Sequence, residues 1–175
     1  MQEENVVLVN ELDHEVGVMG KLEAHQKGVL HRAFSVFLLN DDGKLLMQKR
    51  ALTKYHSPGL WTNTCCSHQR VGEESDQAVK RRLMEEMGII ASFRKVYDFI
   101  YKADVGGGLT EHELDYVYIG RYNDTPVFNK DEVAEVSYMD LSELEKDIKL
   151  NPSMYTEWFK ITFNDFKKYV HASVV

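Results

Sequence analysis

Glu73-Glu74-Ser75-Asp76-Gln77-Ala78-Val79-Lys80-Arg81-Arg82-Leu83-Met84-Glu85-Glu86-Met87-Gly88-Ile89 is the stretch around which the rest of the chain is organised. It predicts a helix from Ser75 to Met87, with Ser75 placed to cap the first turn. Ala78, Leu83 and Met87 fall roughly along one side, which should therefore face a core. Gly88 follows as a left-handed stop. Arg82 and Glu86 stand one helical turn apart, so a guanidinium and a carboxylate can point to the same place. Alone, that spacing reads as an ordinary ion pair on a solvated helix face; beside a metal and a phosphate, the same two groups would hold both.

Working outward, Phe93 to Lys102 and Thr110 to Tyr122 predict two strands joined across Gly106-Gly107-Gly108. Glu132 to Met139 predicts another strand, Ser142-Glu143-Leu144-Glu145 has the spacing of a capping box opening a short helix, and Phe159, Phe163, Phe166 and Val170 mark one side of a final amphipathic helix. On the N-terminal side, Val6 to Val9 reads as a short strand. His31 to Leu39, the turn Asn40-Asp41-Asp42-Gly43, and Lys44 to Lys49 read as a β-hairpin. Ala51 to Trp61 reads as a loop punctuated by Pro58 and Gly59. Strands, a middle helix, more strands and two closing helices imply an α+β sandwich with a mixed sheet.

The 175 residues suit one domain spanning residues 1–175, with no internal repeat or linker to divide it, and a 43% apolar composition provides a core. A net charge of −7 argues against sequence-independent nucleic-acid binding but allows an anionic substrate where cations gather locally. No apolar run is long enough to span a bilayer, so no membrane partner is expected. The acidic Met1-Gln2-Glu3-Glu4-Asn5 start does not resemble a signal peptide. Cys65 and Cys66 are adjacent, which disfavours a disulfide and suggests free thiols in a reducing, cytoplasmic setting.

His25, His31, His68, Glu111 and Glu113 are candidate ligands for a divalent ion, since imidazole nitrogen and carboxylate oxygen are its usual donors. Glu111 and Glu113 lie two apart on a predicted strand and leave the same face. Taken singly, each reads first as a surface His or a solvated Glu. Cys66, two residues before His68, is a candidate proton donor or acceptor, although a buried, inert thiol fits equally well. Arg50 and Lys54 flank a loop and are placed to clamp a diphosphate, whereas Lys21 alone reads as a surface cation. Tyr101, expected near a strand end, can relay a proton or simply pack. Trp61 and Trp158 offer aromatic faces to a cation, or core bulk.

These scattered signals align with a known pattern. Glu73, seven residues, then Arg81-Arg82-Leu83-Met84-Glu85-Glu86-Met87-Gly88-Ile89 resembles a Nudix box with two departures: Ser67 stands at the first glycine, and Arg82 replaces the glutamate of the Arg-Glu pair. Together with Leu22-Glu23-Ala24-His25, Leu30 to Ser35, Lys49 to Lys54, Trp61-Thr62-Asn63, Cys66-Ser67-His68 and Glu111-His112-Glu113, the chain resembles the type 1 isopentenyl-diphosphate isomerases from about Val6 to Trp158.

The resemblance implies a Nudix-like α/β/α sandwich and the interconversion of isopentenyl and dimethylallyl diphosphate in isoprenoid biosynthesis. It implies Cys66, Glu113 and Tyr101 as catalytic residues. His25, His31, His68, Glu111 and Glu113 would hold one tight divalent metal, manganese or zinc. Glu86 would ligate magnesium arriving with the diphosphate. Lys21, Arg50, Lys54, Arg82 and Trp158 would bind the prenyl diphosphate substrate. A monomer or weak homodimer is expected. Closure is expected from either Gly106 to Gly108 or the stretch carrying Lys21 and His25. The rivals are a Nudix hydrolase, against which Arg82 and the Cys66/His68 pair weigh, and a silent diphosphate-binding module, which would not need paired acid–base groups.

Overall fold

Strand β3 (His31–Leu39) is the axis of a computed structural model that describes residues 4–172. Before it come β1 (Asn5–Val9), β2 (Glu15–Gly20) and α1 (Lys21–Lys27). After it come β4 (Leu45–Arg50), β5 (Trp61–Thr62), β6 (Cys65–Ser67) and α2 (Ser75–Arg82), the last continued by a wider π-helical turn over Leu83–Met87. Then follow β7 (Phe93–Gly106), β8 (Leu109–Arg121), β9 (Val133–Met139), α3 (Leu141–Leu150) and α4 (Glu157–Ala172). Residues 1–3, part of the acidic start, lie outside the described residues. Among the described helices, none is long and apolar enough to cross a membrane.

β3 runs parallel to β8 in register from His31↔Glu113 to Leu39↔Arg121, and antiparallel to β6, with Ser35 opposite Cys66. β7 pairs antiparallel with β8, so the sheet is mixed, as expected. All nine residues of β3 are buried, as a central strand covered on both faces must be. Alternate residues point to opposite sides. Phe34, Val36 and Leu38 share a cluster with Ala78, Val79, Leu83 and Met87 of the α2 segment. Phe37 and Leu39 pack with Phe159, Phe163 and Phe166 of α4, and the Phe37 and Phe166 rings stack at 4.3 Å. Two helical layers therefore cover one sheet, giving the α/β/α sandwich.

Several local expectations are revised. β3 and β4 do not form a ladder beyond Leu39↔Leu45. The Thr64 hydroxyl sits between them, accepting from Leu38 N at 2.9 Å and donating to Leu46 O at 2.6 Å, while β4 pairs with β9 and β5. Ser75 does not cap α2: Glu74 holds the cap position, and the Ser75 hydroxyl donates to Gln69 Oε1. Asp140, not Ser142, caps α3, accepting from the backbone of Ser142 and Glu143. Tyr101 sits within β7 and not at its end, because β7 runs on to Gly106.

Gly88 ends the helix with φ +64°, and a Cβ there would lie 2.4 Å from the Val127 carbonyl oxygen. Gly88→Ala should destabilise the fold by at least about 1–3 kcal/mol, from left-handed strain alone. A urea denaturation midpoint equal to wild type would contradict this.

Candidate metal centre and acid–base site

The strand pairings decide which side chains meet. Glu113 is the direct partner of His31 across β3–β8 and of Tyr101 across β7–β8. Glu111 and Glu113 leave the same face, as their spacing predicts, and both are buried. Asp115 continues that face, 1% exposed and accepting from Ser35 Oγ at 2.7 Å. The sequence reading missed it, although the same period of two points to it. β6 places Cys66 on the other side of β3, and His68 follows it into the site.

His25, His31, His68 and Glu113 each bring a ligand atom within 4.8 Å of the others. Glu111 does not join that set. It groups instead with His25 and His56, a residue the sequence reading passed over because it lies in an aperiodic loop. The tautomers are set locally: His25 Nδ1 donates to Lys21 O at 2.6 Å and His31 Nδ1 to Val29 O at 2.8 Å. Among the described residues, their Nε2 atoms are buried without hydrogen-bond partners, as is His68 Nδ1. Unpartnered lone pairs beside two carboxylates suit a divalent ion, since backbone-anchored imidazoles are the usual arrangement at metals. Glu86 belongs to neither set. It accepts from Arg82 Nη2 at 2.5 Å and from Gln48 Nε2 at 3.1 Å.

Burial governs protonation here. It pushes His56 and His68 down to about 3 and lowers His25, keeping these rings neutral and fit to ligate. It drives the Cys66 thiol up to about 12. Glu111 is raised by burial and by the charge of Glu113. For Glu113 itself burial works against the charge, but the His31 and His68 imidazoles override it and hold the carboxyl well below the usual range. The Tyr101 phenol, raised by burial and both carboxylates, stays protonated; it lies 2.8 Å from Glu111 Oε2 and 2.6 Å from Glu113 Oε2.

One cavity collects the remaining expected residues. Cys66, Glu111, Glu113 and His68 line it, as do Trp158 and Glu86. So do all four expected cations, Lys21, Arg50, Lys54 and Arg82. Each already has partners: Lys21 meets Glu4 at 3.2 Å, Lys54 meets Glu132, and Arg82 reaches Glu85 and Glu86. Arg50 holds the backbone oxygens of His56 and Ser57 and lies 5.3 Å from the Trp158 ring centre. Trp61 is in the core and does not line the cavity. Gly106 to Gly108 form the tip of the β7–β8 hairpin and do not line it either, whereas the segment bearing Lys21 does.

The sandwich with its box-bearing helix is that of a Nudix domain, and a NUDIX domain family model matches residues 29–159. Solved structures agree on the fold: DR0079 from Deinococcus radiodurans superposes with a TM-score of 0.75 at 20% identity, covering 90% of this chain and 96% of that one. Within that class the relatives are specific. An isopentenyl-diphosphate Delta-isomerase 2 from Photorhabdus laumondii subsp. laumondii is 49% identical, over 93% of this chain and 92% of its own length. The isopentenyl-diphosphate Delta-isomerase of Pectobacterium atrosepticum is 46% identical, over 95% and 93%. The chain belongs to the isopentenyl-diphosphate Delta-isomerase family.

Proposed function

We propose that this chain, as one domain over residues 1–175, interconverts isopentenyl and dimethylallyl diphosphate by protonation and deprotonation, with Cys66 and Glu113 as the two protic groups. The observation that carries the assignment is that both line one cavity with Trp158, while the Tyr101 hydroxyl lies 2.6 Å from Glu113. Moving the double bond requires one proton added to the terminal methylene and another removed from the neighbouring methylene. The intermediate, or a transition state close to it, is a tertiary carbocation, so a proton must be delivered and taken at separate positions. A thiol and a carboxyl do this without being consumed.

Tyr101 supports the pair by donating to either carboxylate and passing a proton to Glu113. Trp158 offers an indole face to the cation, worth roughly 0.5–2 kcal/mol, and adds no nucleophile that would capture it. Lys21, Arg50, Lys54 and Arg82 hold the diphosphate, with Lys21, Lys54 and Arg82 exchanging their internal carboxylate partners for substrate oxygens. Glu86 meets the magnesium that accompanies the diphosphate.

Nudix enzymes use divalent metals, and the donor sets described above fit one. We assign a tightly held manganese or zinc ion to His25, His31, His68, Glu111 and Glu113. Such an ion would withdraw charge from the Glu113 carboxyl and strengthen it as an acid. The free thiols of Cys65 and Cys66 support a cytoplasmic enzyme, acting as a monomer or weak homodimer on a small prenyl diphosphate, without nucleic acid or membrane.

Proton NMR of isopentenyl diphosphate incubated with metal-loaded, reduced protein and Mg²⁺ in D₂O tests the reading. The expected result is dimethylallyl diphosphate carrying deuterium in its methyl groups. Unchanged substrate would overturn it, and release of inorganic phosphate would favour hydrolysis, which Arg82 at the box's glutamate position disfavours.

A further inference from the structure

His56 has no role in the reaction above, yet the fold fixes it with care. It lies 7% exposed in the loop between β4 and β5. Arg50 donates to the carbonyl oxygens of His56 and Ser57 at 3.1 and 3.2 Å, and the loop turns through Ser57 and Gly59 with φ of +48° and +70°. The imidazole stacks on His25 with ring centres 5.6 Å apart and meets Trp158 edge-on at 6.0 Å.

Despite this placement, His56 has poor hydrogen bonding. Its Nδ1 is 3.4 Å from Ser57 Oγ, and its Nε2 is 3.5 Å from Glu111 Oε1. A simple His–Glu hydrogen bond would close to about 2.7–3.2 Å. His25, its neighbour, has a buried Nε2 with no hydrogen-bond partner among the described residues. The ligand atoms of His25, His56 and Glu111 all lie within 4.8 Å of one another.

That triad shares His25 with the set His25, His31, His68 and Glu113. His25 has a single lone pair to give, because its Nδ1 proton is committed to the Lys21 carbonyl oxygen. One imidazole lone pair binds one ion, so the two sets cannot each fill independently. A single ion shared between the two sets would draw on His25, His31, His56, His68, Glu111 and Glu113.

We propose that His56 is a ligand of the divalent ion assigned above, completing six protein donors, so that the ion has no open position for water or substrate. The inference rests on the metal-centre reading and deepens it: a saturated ion acts on the substrate only through Glu113. This sets it apart from sites in which a metal keeps an open position and activates a bound water.

The test uses the full chain loaded with one equivalent of Mn²⁺ and read by water-proton relaxation, which senses exchangeable water on the ion. Wild type should give the low relaxivity of an ion without bound water. His56→Ala should admit a water, raise the relaxivity clearly, and weaken Mn²⁺ affinity by about tenfold or more. His56→Gln, which keeps a polar group and most of the volume, guards against misfolding and should show weakened affinity with an unchanged circular dichroism spectrum. Wild-type relaxivity that already reports bound water would overturn the proposal, as would folded His56 variants that bind Mn²⁺ as tightly as wild type with unchanged relaxivity. If the same wild-type preparation isomerises substrate while these measurements fail, only the role of His56 falls. If it binds no Mn²⁺ or does not isomerise, the underlying reading falls.

Discussion

Cys66→Ala is expected to give a folded, metal-binding protein with no measurable isomerisation. A single positioned acid–base group contributes about 10²–10⁴-fold to a proton transfer. The loss here should reach the upper end or beyond, because an unactivated alkene has no easier route. The neighbouring thiol cannot substitute. Cys65 alternates to the opposite face of β6, fully buried against the α2 segment in the cluster of Leu83 and Met87, with its Sγ 3.6 Å from Glu86 Oε2. Cys65→Ala should therefore retain turnover while losing some stability. The measurement is product formation for the two variants side by side, with metal content as the control. An active Cys66→Ala beside an inactive Cys65→Ala would show that the thiol has been misassigned.

Stripping the divalent ion with a chelator should abolish activity and lower the thermal midpoint together. Both follow from the same unpartnered atoms. Without an ion, His25 Nε2, His31 Nε2 and His68 Nδ1 are buried with no hydrogen-bond partner among the described residues, and the carboxylates of Glu111, Glu113 and Asp115 share one face of β8. An ion that binds only the folded chain stabilises it by RT ln(1 + [L]/Kd), about 4 kcal/mol at a thousandfold excess over Kd. Restoring Mn²⁺ or Zn²⁺ should recover turnover and midpoint in parallel. Full activity in protein shown by elemental analysis to contain no metal would refute the centre, and so would a midpoint unmoved by its removal.

Much of this was legible beforehand, for identifiable reasons. β3 is bounded as the sequence predicts because a run built on Phe34, Val36 and Phe37 ends at a turn cluster. Glu111 and Glu113 could be put on one face because a strand has period two. The proposed role of Cys66 rests on its distance to His68 together with the family resemblance, and the structure places the residue in the cavity beside Glu113. By contrast, β2 has the sequence Glu15-Val16-Gly17-Val18-Met19-Gly20, with two glycines and an exposed or half-buried edge position, so no alternation announced it. α1 is seven residues held between two glycines, too short for a helical period to register. His56 sits in a loop whose shape is set by Arg50, and no local pattern carries that information. The caps failed for a related reason. Ser75 and Ser142 are good cap types, but tertiary contacts gave the Ser75 hydroxyl to Gln69, and Asp140 supplied the acceptor for the first turn of α3.

The long parallel pairing of β3 with β8 also dictates when the centre can come into being. His31 and Glu113 are register partners separated by some eighty intervening residues, including the whole of α2 and β7. Non-local contacts of this kind form late, because the loop between them must close before they gain anything. A nascent or partly collapsed chain therefore has only local pairs to offer, His25 with His31 or Glu111 with Glu113, which hold an ion weakly. Tight capture of the ion must follow the joining of the two strands. With the ion held at the proposed centre, loading is expected to mark the completion of folding and not to start it, and on unfolding the ion should leave in the same step that parts β3 from β8.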